Sequence, residues 1–443
     1  MKVAVVGSGI SGLAVCHQLR GRADLTLFEA GAWFGGHAHT VDVTLPDAQG
    51  RAVTHGVDTG FLVFNERTYP QLIALFEQLG IATAPSDMSF SVQVPQAFGE
   101  RGLEWSGSDL NTVFAQRANL LRPRFWRMLR DLLRFNQLAT RIAEADHEAE
   151  LLQPLGDFLD AHGFSREFRH WYFLPMLGCI WSCPTDQMLR FPVATMIRFC
   201  HNHGLIQVAN RPRWWTVAGG ARRYVDKIVA NVADARLNTP VRALRRAADG
   251  VQLRTDAGWE QFDQVVLATH SDQALALLAD ADAAEREVLS AIRYQPNRAV
   301  LHTDVSVLPQ RRMAWSAWNY ERGPGADQEA RVCLHYLLNM LQPLPWEQPM
   351  LVSLNPVREI AAHRVVGEWD YAHPVFDVAA IRAQSQVPQL QGRRRTWFAG
   401  AWMGYGFHED GLKAGLGVAR QLMVEIARAR MGMSDPAPLE PAL

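Results

Sequence analysis

Three glycines, Gly7, Gly9 and Gly12, stand in G-x-G-x-x-G spacing directly behind the apolar run Val3-Ala4-Val5-Val6. Such spacing holds a pyrophosphate: the first glycine permits a tight turn, the second lets the main chain approach the phosphates, and the third allows close packing of helix on sheet. The run before the turn reads as a strand buried on both faces. The stretch Leu13 to Arg20 reads as a helix whose N-terminal N–H groups and positive dipole end point at the phosphates. A second strand, Leu25 to Phe28, ends at Glu29, where an acid accepts hydrogen bonds from the ribose hydroxyls. Ser11, inside the turn, counts with Gly7, Gly9, Gly12 and Glu29 as a cofactor contact. An ordinary glycine turn is the weaker reading in this context, but the motif does not separate NAD from FAD.

Histidine supplies the candidate bases, because imidazole titrates near neutrality. His302, His335 and His408 are the candidates, and each also reads as a structural or cofactor-contact residue. His37 and His39 follow the pair Gly35-Gly36; two histidines at i, i+2 with no third ligand nearby point to the cofactor neighbourhood rather than to a metal. Lysine occurs only at Lys2, Lys227 and Lys413, so a lysine-dependent mechanism has few candidates.

The elements that must position these residues fit a chain of 443 residues with 48% hydrophobic content, enough for two or three compact units. A net charge of −1 gives no global reason to expect nucleic acid. Five cysteines form no even framework, which makes a reducing cytoplasm the expected compartment. Cys179 and Cys183 sit in an apolar stretch interrupted by Pro175 and Pro184, and read as core packing before redox work. A first strand beginning at residue 2 leaves no room for a signal peptide. No run of about twenty uncharged apolar residues suggests a transmembrane helix.

Along the chain, cofactor pieces alternate with inserted ones: 1–68, 205–290 and 392–432 are expected to build a dinucleotide-binding domain, 69–204 and 291–391 a substrate domain, and 433–443 a disordered tail. The first insertion is helical and aromatic. Within it Arg117, Arg122, Arg124, Arg127, Arg130, Arg134 and Arg141 are interleaved with leucines and aromatics and opposed only by Asp131. This segment, 117–141, is either a cap helix with a solvated arginine face or a peripheral contact with an anionic membrane at its inner face. The second insertion reads as strands rich in Trp, Tyr and His, roofing an apolar cavity.

The phrases Phe34-Gly-Gly-His-Ala-His-Thr, Val57-Asp-Thr-Gly-Phe, Leu301-His-Thr-Asp, Leu354-Asn-Pro and Gly404-Tyr-Gly-Phe-His-Glu-Asp-Gly together resemble the flavin amine oxidase superfamily over nearly the whole chain. Within it they resemble a bacterial branch of predicted NAD/FAD-binding proteins associated with cyclopropane-fatty-acid-synthase-like methyltransferases, related to desaturases of furan fatty acid formation. The resemblance implies an α/β fold: a Rossmann-type, glutathione-reductase-like FAD-binding domain with an inserted α+β substrate domain, amine oxidase-like. It implies non-covalent FAD, with no cysteine between Trp397 and Gly411 for attachment. It assigns Gly35, Gly36 and His37 to the pyrophosphate, although relatives carry arginine at the position of His37. It places Thr59, Gly60 and Phe61 beside the isoalloxazine, main-chain groups of Val241 on the adenine, and Thr269 in the strand that closes the domain. Gly400, Glu409, Asp410 and Gly411 lead into the last helix, whose N–H groups face the flavin N1/O2 edge. Relatives follow the late glycine with an acid that grips the ribityl chain; here Gly400 is followed by Ala401.

Amine-oxidising relatives carry a lysine in the substrate-domain sheet, and the stretch from Tyr294 to Gln391 has none. The resemblance therefore implies dehydrogenation of a lipid, a methylated or unsaturated fatty-acyl chain, with a methyltransferase as partner. Two alternatives stay open: a non-catalytic FAD-binding partner of a lipid-modifying complex, and an amine oxidase with an altered base.

Overall fold

The computed structural model describes residues 1–100, 102–144, 153–207, 211–323 and 332–431, so the expected tail lies outside the described residues. The chain divides into two compact units, one of residues 1–36, 224–290 and 384 onward, the other of residues 37–223 and 291–383.

The first unit is built on a five-stranded parallel sheet in the order Asp234–Arg236, Asp24–Phe28, Lys2–Val6, Gln264–Leu267, Thr396–Phe398. Its central strand is the β-branched run that opens the sequence. Val3, Ala4 and Val5 have no exposed surface, as burial on both faces requires. The helix after the glycine turn spans Ile10–Leu19, starting one turn earlier than the sequence pattern suggests because Gly9 itself is its N-cap. It packs against the last helix, His408–Arg430. Gly415 makes the close approach possible, since a Cβ there would fall 2.3 Å from the Ser11 carbonyl oxygen. A three-stranded antiparallel sheet, Ala243–Ala247, Gly250–Thr255 and Gly258–Phe262, completes this unit's strands among the described residues.

The second unit carries a seven-stranded mixed sheet in the order Val365–Val375, Arg293–His302, Leu351–Leu354, Val332–Leu337, Trp318–Arg322, Phe90–Val94, Leu103–Ser106. All its pairings are antiparallel except that of Trp318–Arg322 with Phe90–Val94. A helical group covers 110–202 of the described residues, including the basic helix Pro123–Glu144. Residues 37–68 and 205–223, expected in the dinucleotide-binding domain, group with this unit. Their strands explain it: Thr40–Pro46 pairs with Ala52–Asp58, and Trp214–Val217 pairs with both Phe64–Asn65 and Thr83–Ser86.

Cys179 and Cys183 are buried and unbonded, and burial pushes both thiols up, which suits packing and not redox work. Among the described residues no helix is long and apolar enough to cross a membrane.

Candidate functional site

In the first unit, the Gly7 N–H donates to the Phe28 carbonyl at 2.8 Å, the last bond between the central strand and its neighbour before the chain turns. Gly7 has φ +100°, and a Cβ there would lie 2.6 Å from the Ala268 oxygen. A Cβ at Gly12 would lie 2.0 Å from the Gly7 oxygen, so side chains are excluded at both positions. Gly9 is different: a Cβ there meets nothing within 4 Å, and the residue caps the helix with its first-turn N–H groups beside that open space. This is the cradle a pyrophosphate needs. Gly36 packs on it, with φ +57° and its Cβ position 3.2 Å from the Gly9 Cα. The residues present fit FAD.

Glu29 organises the loop around the cradle. One carboxylate oxygen accepts the Ser8 N–H at 3.0 Å and the Ser8 hydroxyl at 2.5 Å, and the other accepts the Gly31 N–H at 2.8 Å. The Ser8 oxygen in turn accepts the Gly35 N–H at 3.0 Å, tying the two glycine segments together. Ser8 occupies a variable position of the motif, and nothing in the spacing singles it out. The Thr239 N–H donates to the Glu29 carbonyl at 2.8 Å, which seats the turn leading to Val241. Ser11 is buried, and its hydroxyl donates to the Gly411 carbonyl at 2.8 Å, so its side chain joins two helices and its main chain is the part left for a phosphate.

At the far end of the same unit, a Cβ at Gly400 would strike the Trp402 ring, whose Nε1 donates to the Thr269 carbonyl at 3.1 Å. Asp410 caps the last helix by accepting the Tyr405 and Phe407 N–H groups at 3.1 and 3.0 Å, and burial pushes its carboxyl up to about 6. Glu409 is buried with Lys413 3.6 Å away. His408 is buried, with the Tyr224 hydroxyl 2.6 Å from Nε2, and burial holds its pKa down at about 3.

In the second unit, His37, His39, Thr59, Gly60 and Phe61 come together. The Phe61 N–H donates to the His37 carbonyl at 2.7 Å, and a Cβ at Gly60 would lie 2.3 Å from that same oxygen. The Thr59 hydroxyl lies 2.9 Å from His39 Nδ1 and 2.8 Å from the Tyr371 hydroxyl. His37 packs its ring against Tyr371 and His373, with centroids 4.9 and 5.3 Å away. Next to them Asp58 accepts from Thr40, from the Ala221 N–H at 2.9 Å and from Gln342 at 2.6 Å. Burial still pushes its carboxyl up to about 7.

His302 and His335, 33 positions apart in sequence, share one hydroxyl. Ser353 stands directly opposite His335 across one strand pairing and opposite Val300, two residues before His302, across the other. The Asp304 N–H donates to His302 Nδ1 at 3.1 Å, so neutral His302 carries its proton on Nε2 and donates to Ser353 at 2.7 Å. His335 Nδ1 lies 2.6 Å from the same oxygen, and its Nε2 is 3.1 Å from Glu321. Burial alone would pull His335 down, but Cys333 and Glu321 beside it outweigh burial and raise it to about 9. Burial, then the charge on His335, lowers His302 to about 4. Arg358 grips both oxygens of Glu321, at 2.9 Å to Oε1 and at 3.0 Å to Oε2, the oxygen that faces His335. The donor atoms of Glu321, Cys333 and His335 are close enough to share an ion, but the Arg358 guanidinium already supplies the positive charge there.

Glu321 and Arg358 line a cavity of about 610 Å³ together with Arg124, Glu167, His170 and Trp171, a strongly charged wall. His302 and His335 do not reach it: both side chains are fully enclosed and both ring nitrogens of each are engaged. The expected role of these two as bases therefore gives way to one of fixing charge inside the sheet. The sequence alone did not single out Ser353, Glu321 or Tyr371.

Comparison with known proteins follows the same lines. No protein of curated function matches the chain by sequence. Among solved structures, the chain is similar to a CLA-producing fatty acid isomerase from P. acnes, with TM-score 0.65 and 17% identity, covering 95% of this chain and 98% of that one. It is similar to cyclohexylamine oxidase from Brevibacterium oxydans IH-35A, with TM-score 0.64, 16% identity and coverage of 96% and 99%. It is also similar to putrescine oxidase bound to putrescine, with TM-score 0.65, 14% identity and coverage of 96% and 99%. Residues 10–323 match the family of flavin containing amine oxidoreductases, and the chain, an FAD-binding oxidoreductase with an amine-oxidase-like α/β fold, belongs to that family.

Proposed function

We propose that the protein dehydrogenates a fatty-acyl chain, methylated or unsaturated, to create a carbon–carbon double bond. The observation that carries this reading is the absence of lysine from Tyr294 to Gln391, the stretch that supplies four of the seven strands of the second unit's sheet completely. Amine oxidation of the usual kind relies on a lysine in that sheet. The likeness to a fatty acid isomerase supports a lipid substrate, and the likeness to two amine oxidases keeps amines as the comparison class.

FAD when bound would supply the hydride acceptor, and the proton lost with the hydride passes to a base, for which His408 is the remaining candidate. The chain's own residues divide the remaining work. Gly7, Gly9 and Gly12 admit the pyrophosphate, Glu29 and Ser8 fix the loop around it, and the N-terminus of His408–Arg430 presents the positive end of its helix dipole to negative charge. The buried sheet of the second unit keeps water from its interior.

The test is anaerobic mixing of the yellow protein with phospholipids bearing unsaturated, cyclopropane or methyl-branched acyl chains, and separately with an amine panel, following the oxidised-flavin absorbance. Bleaching by one lipid class alone supports acyl dehydrogenation and names the substrate. Bleaching by amines overturns it. Bleaching by neither shifts the reading to an FAD-binding partner that acts only in complex with a lipid-modifying methyltransferase.

A further inference from the structure

Ten large apolar side chains stand exposed among the described residues, and six of them gather in one region of the second unit: Leu110, Leu120, Leu121, Trp126, Leu133 and Met313. Leu121 is 88% exposed and Leu110 79%, values without purpose for a core residue. Their elements are held together locally. Arg117 donates to the Asn111 carbonyl at 3.2 Å, one residue from Leu110, and lies 3.9 Å from the sulfur of Met313. The Trp126 Nε1 donates to the Leu120 carbonyl at 2.9 Å, and the Trp126 ring packs on Phe114 with centroids 5.3 Å apart. Trp126 and Leu133 are seven residues apart on the helix Pro123–Glu144, hence on one face, with Arg130 between them.

The same region is strongly basic. Between residues 117 and 144 stand seven arginines and two acids, Asp131 and Glu144. Asp131 is buried, and Glu167, the further carboxylate nearby, is buried beside Arg124 and Arg127. Arg130 keeps 73% of its side-chain surface, with its head 3.5 Å from Asp131.

We propose that this face docks on the surface of an anionic lipid bilayer. Protruding leucines with a tryptophan enter the headgroup boundary, and the arginines meet lipid phosphates. A second copy of the chain is a poorer occupant, because two faces with the same excess of arginine repel. Nucleic acid is poorer as well, because five of the six apolar side chains are aliphatic or thioether groups that offer a base no stacking partner. No helix among the described residues is able to cross the bilayer, so the contact lies on it. The proposal is independent of the acyl-dehydrogenase reading, since it concerns a surface and not a substrate.

The test is flotation of the FAD-loaded full chain with vesicles of phosphatidylcholine alone and of phosphatidylcholine containing phosphatidylglycerol, with no substrate turnover measured. Binding is expected only to the anionic vesicles and to weaken with added salt. Leu110→Asp with Leu121→Asp should abolish it, and Arg127→Gln with Arg130→Gln should lower the partition coefficient by roughly tenfold or more. The flavin spectrum and melting temperature of each variant report that the fold is retained. Absence of binding to anionic vesicles overturns the proposal, as does undiminished binding by the leucine pair variant. A dimer dissolved by Leu121→Asp, or binding to double-stranded DNA without binding to vesicles, assigns the face to another occupant and equally overturns it.

Discussion

His302 and His335 lie 2.7 and 2.6 Å from the same Ser353 oxygen, yet their imidazoles are driven in opposite directions, His302 down to about 4 and His335 up to about 9. Across the range between, one ring is neutral and its neighbour is charged. Their effects on stability therefore have opposite signs. For His302, the unfolded chain binds the extra proton between about pH 6.5 and 4, so its contribution is lost as pH falls through that window. For His335, the folded chain binds the extra proton between 6.5 and about 9, so its contribution is complete below 6.5 and lost as pH rises through 9. Melting temperature measured against pH should show the difference between wild type and His335→Gln shrinking above pH 6.5. A difference that stays constant up to pH 10 would contradict the charged assignment.

Glu321 is the partner that, with Cys333, holds His335 protonated. In Glu321→Gln the carboxylate charge is gone while the volume is kept. The His335 pKa, followed by NMR of the ring protons, is expected to fall. Stability should drop by about 3 kcal/mol, because the charges of a buried pair lose their compensation. No change in the His335 titration would leave Glu321 a bystander.

Gly9 and Gly12 separate folding from cofactor binding. A methyl group at Gly9 meets open space, while one at Gly12 overlaps the Gly7 carbonyl. Gly9→Ala should therefore fold with nearly unchanged far-UV circular dichroism yet lose FAD, its methyl filling the space the pyrophosphate uses. Gly12→Ala should fail to accumulate as folded protein. Full FAD content in purified Gly9→Ala would move the cofactor away from this cradle.

Ser8 is tied to both Glu29 and the Gly35 N–H. Ser8→Ala removes a donor and an acceptor at once, and is expected to weaken FAD binding by about 1–3 kcal/mol, roughly five- to 150-fold in Kd, with a smaller effect on melting of the apoprotein. Equal losses in both measurements would make Ser8 a general packing residue.

Local pattern made the dinucleotide-binding half legible. Val3 to Val6, the three glycines and Glu29 lie close together in sequence, and each has a conformational reason that spacing alone conveys. Gly35 and Gly36 were legible through resemblance, and Gly36 does pack on the Gly9 turn. What escaped was whatever depends on pairing across strands. Ser353 meets two histidines only because Leu351–Leu354 lies between Arg293–His302 and Val332–Leu337, a strand order that no local pattern encodes. The Ser11 side chain was illegible for the same reason: a helix arriving from 400 residues later takes its hydroxyl. Trp214–Val217 lies between Phe64–Asn65 and Thr83–Ser86, so one small sheet spans the expected boundary near residue 68, again through a distant partner.

The central strand of the parallel sheet, Lys2–Val6, is flanked by Asp24–Phe28 on one side and by Gln264–Leu267 on the other, and the edge beyond is closed by Thr396–Phe398. On the ribosome, the strand Lys2–Val6 thus waits with one edge unpaired until residue 264 has been made, and the sheet is finished only after residue 398. The cofactor loop at its tip cannot gain its Gly411 anchor before then either. Such late closure exposes a β-branched edge to other chains while the intervening residues are made, and it makes the yield of flavin-loaded protein sensitive to translation speed and to chaperones that shield that edge.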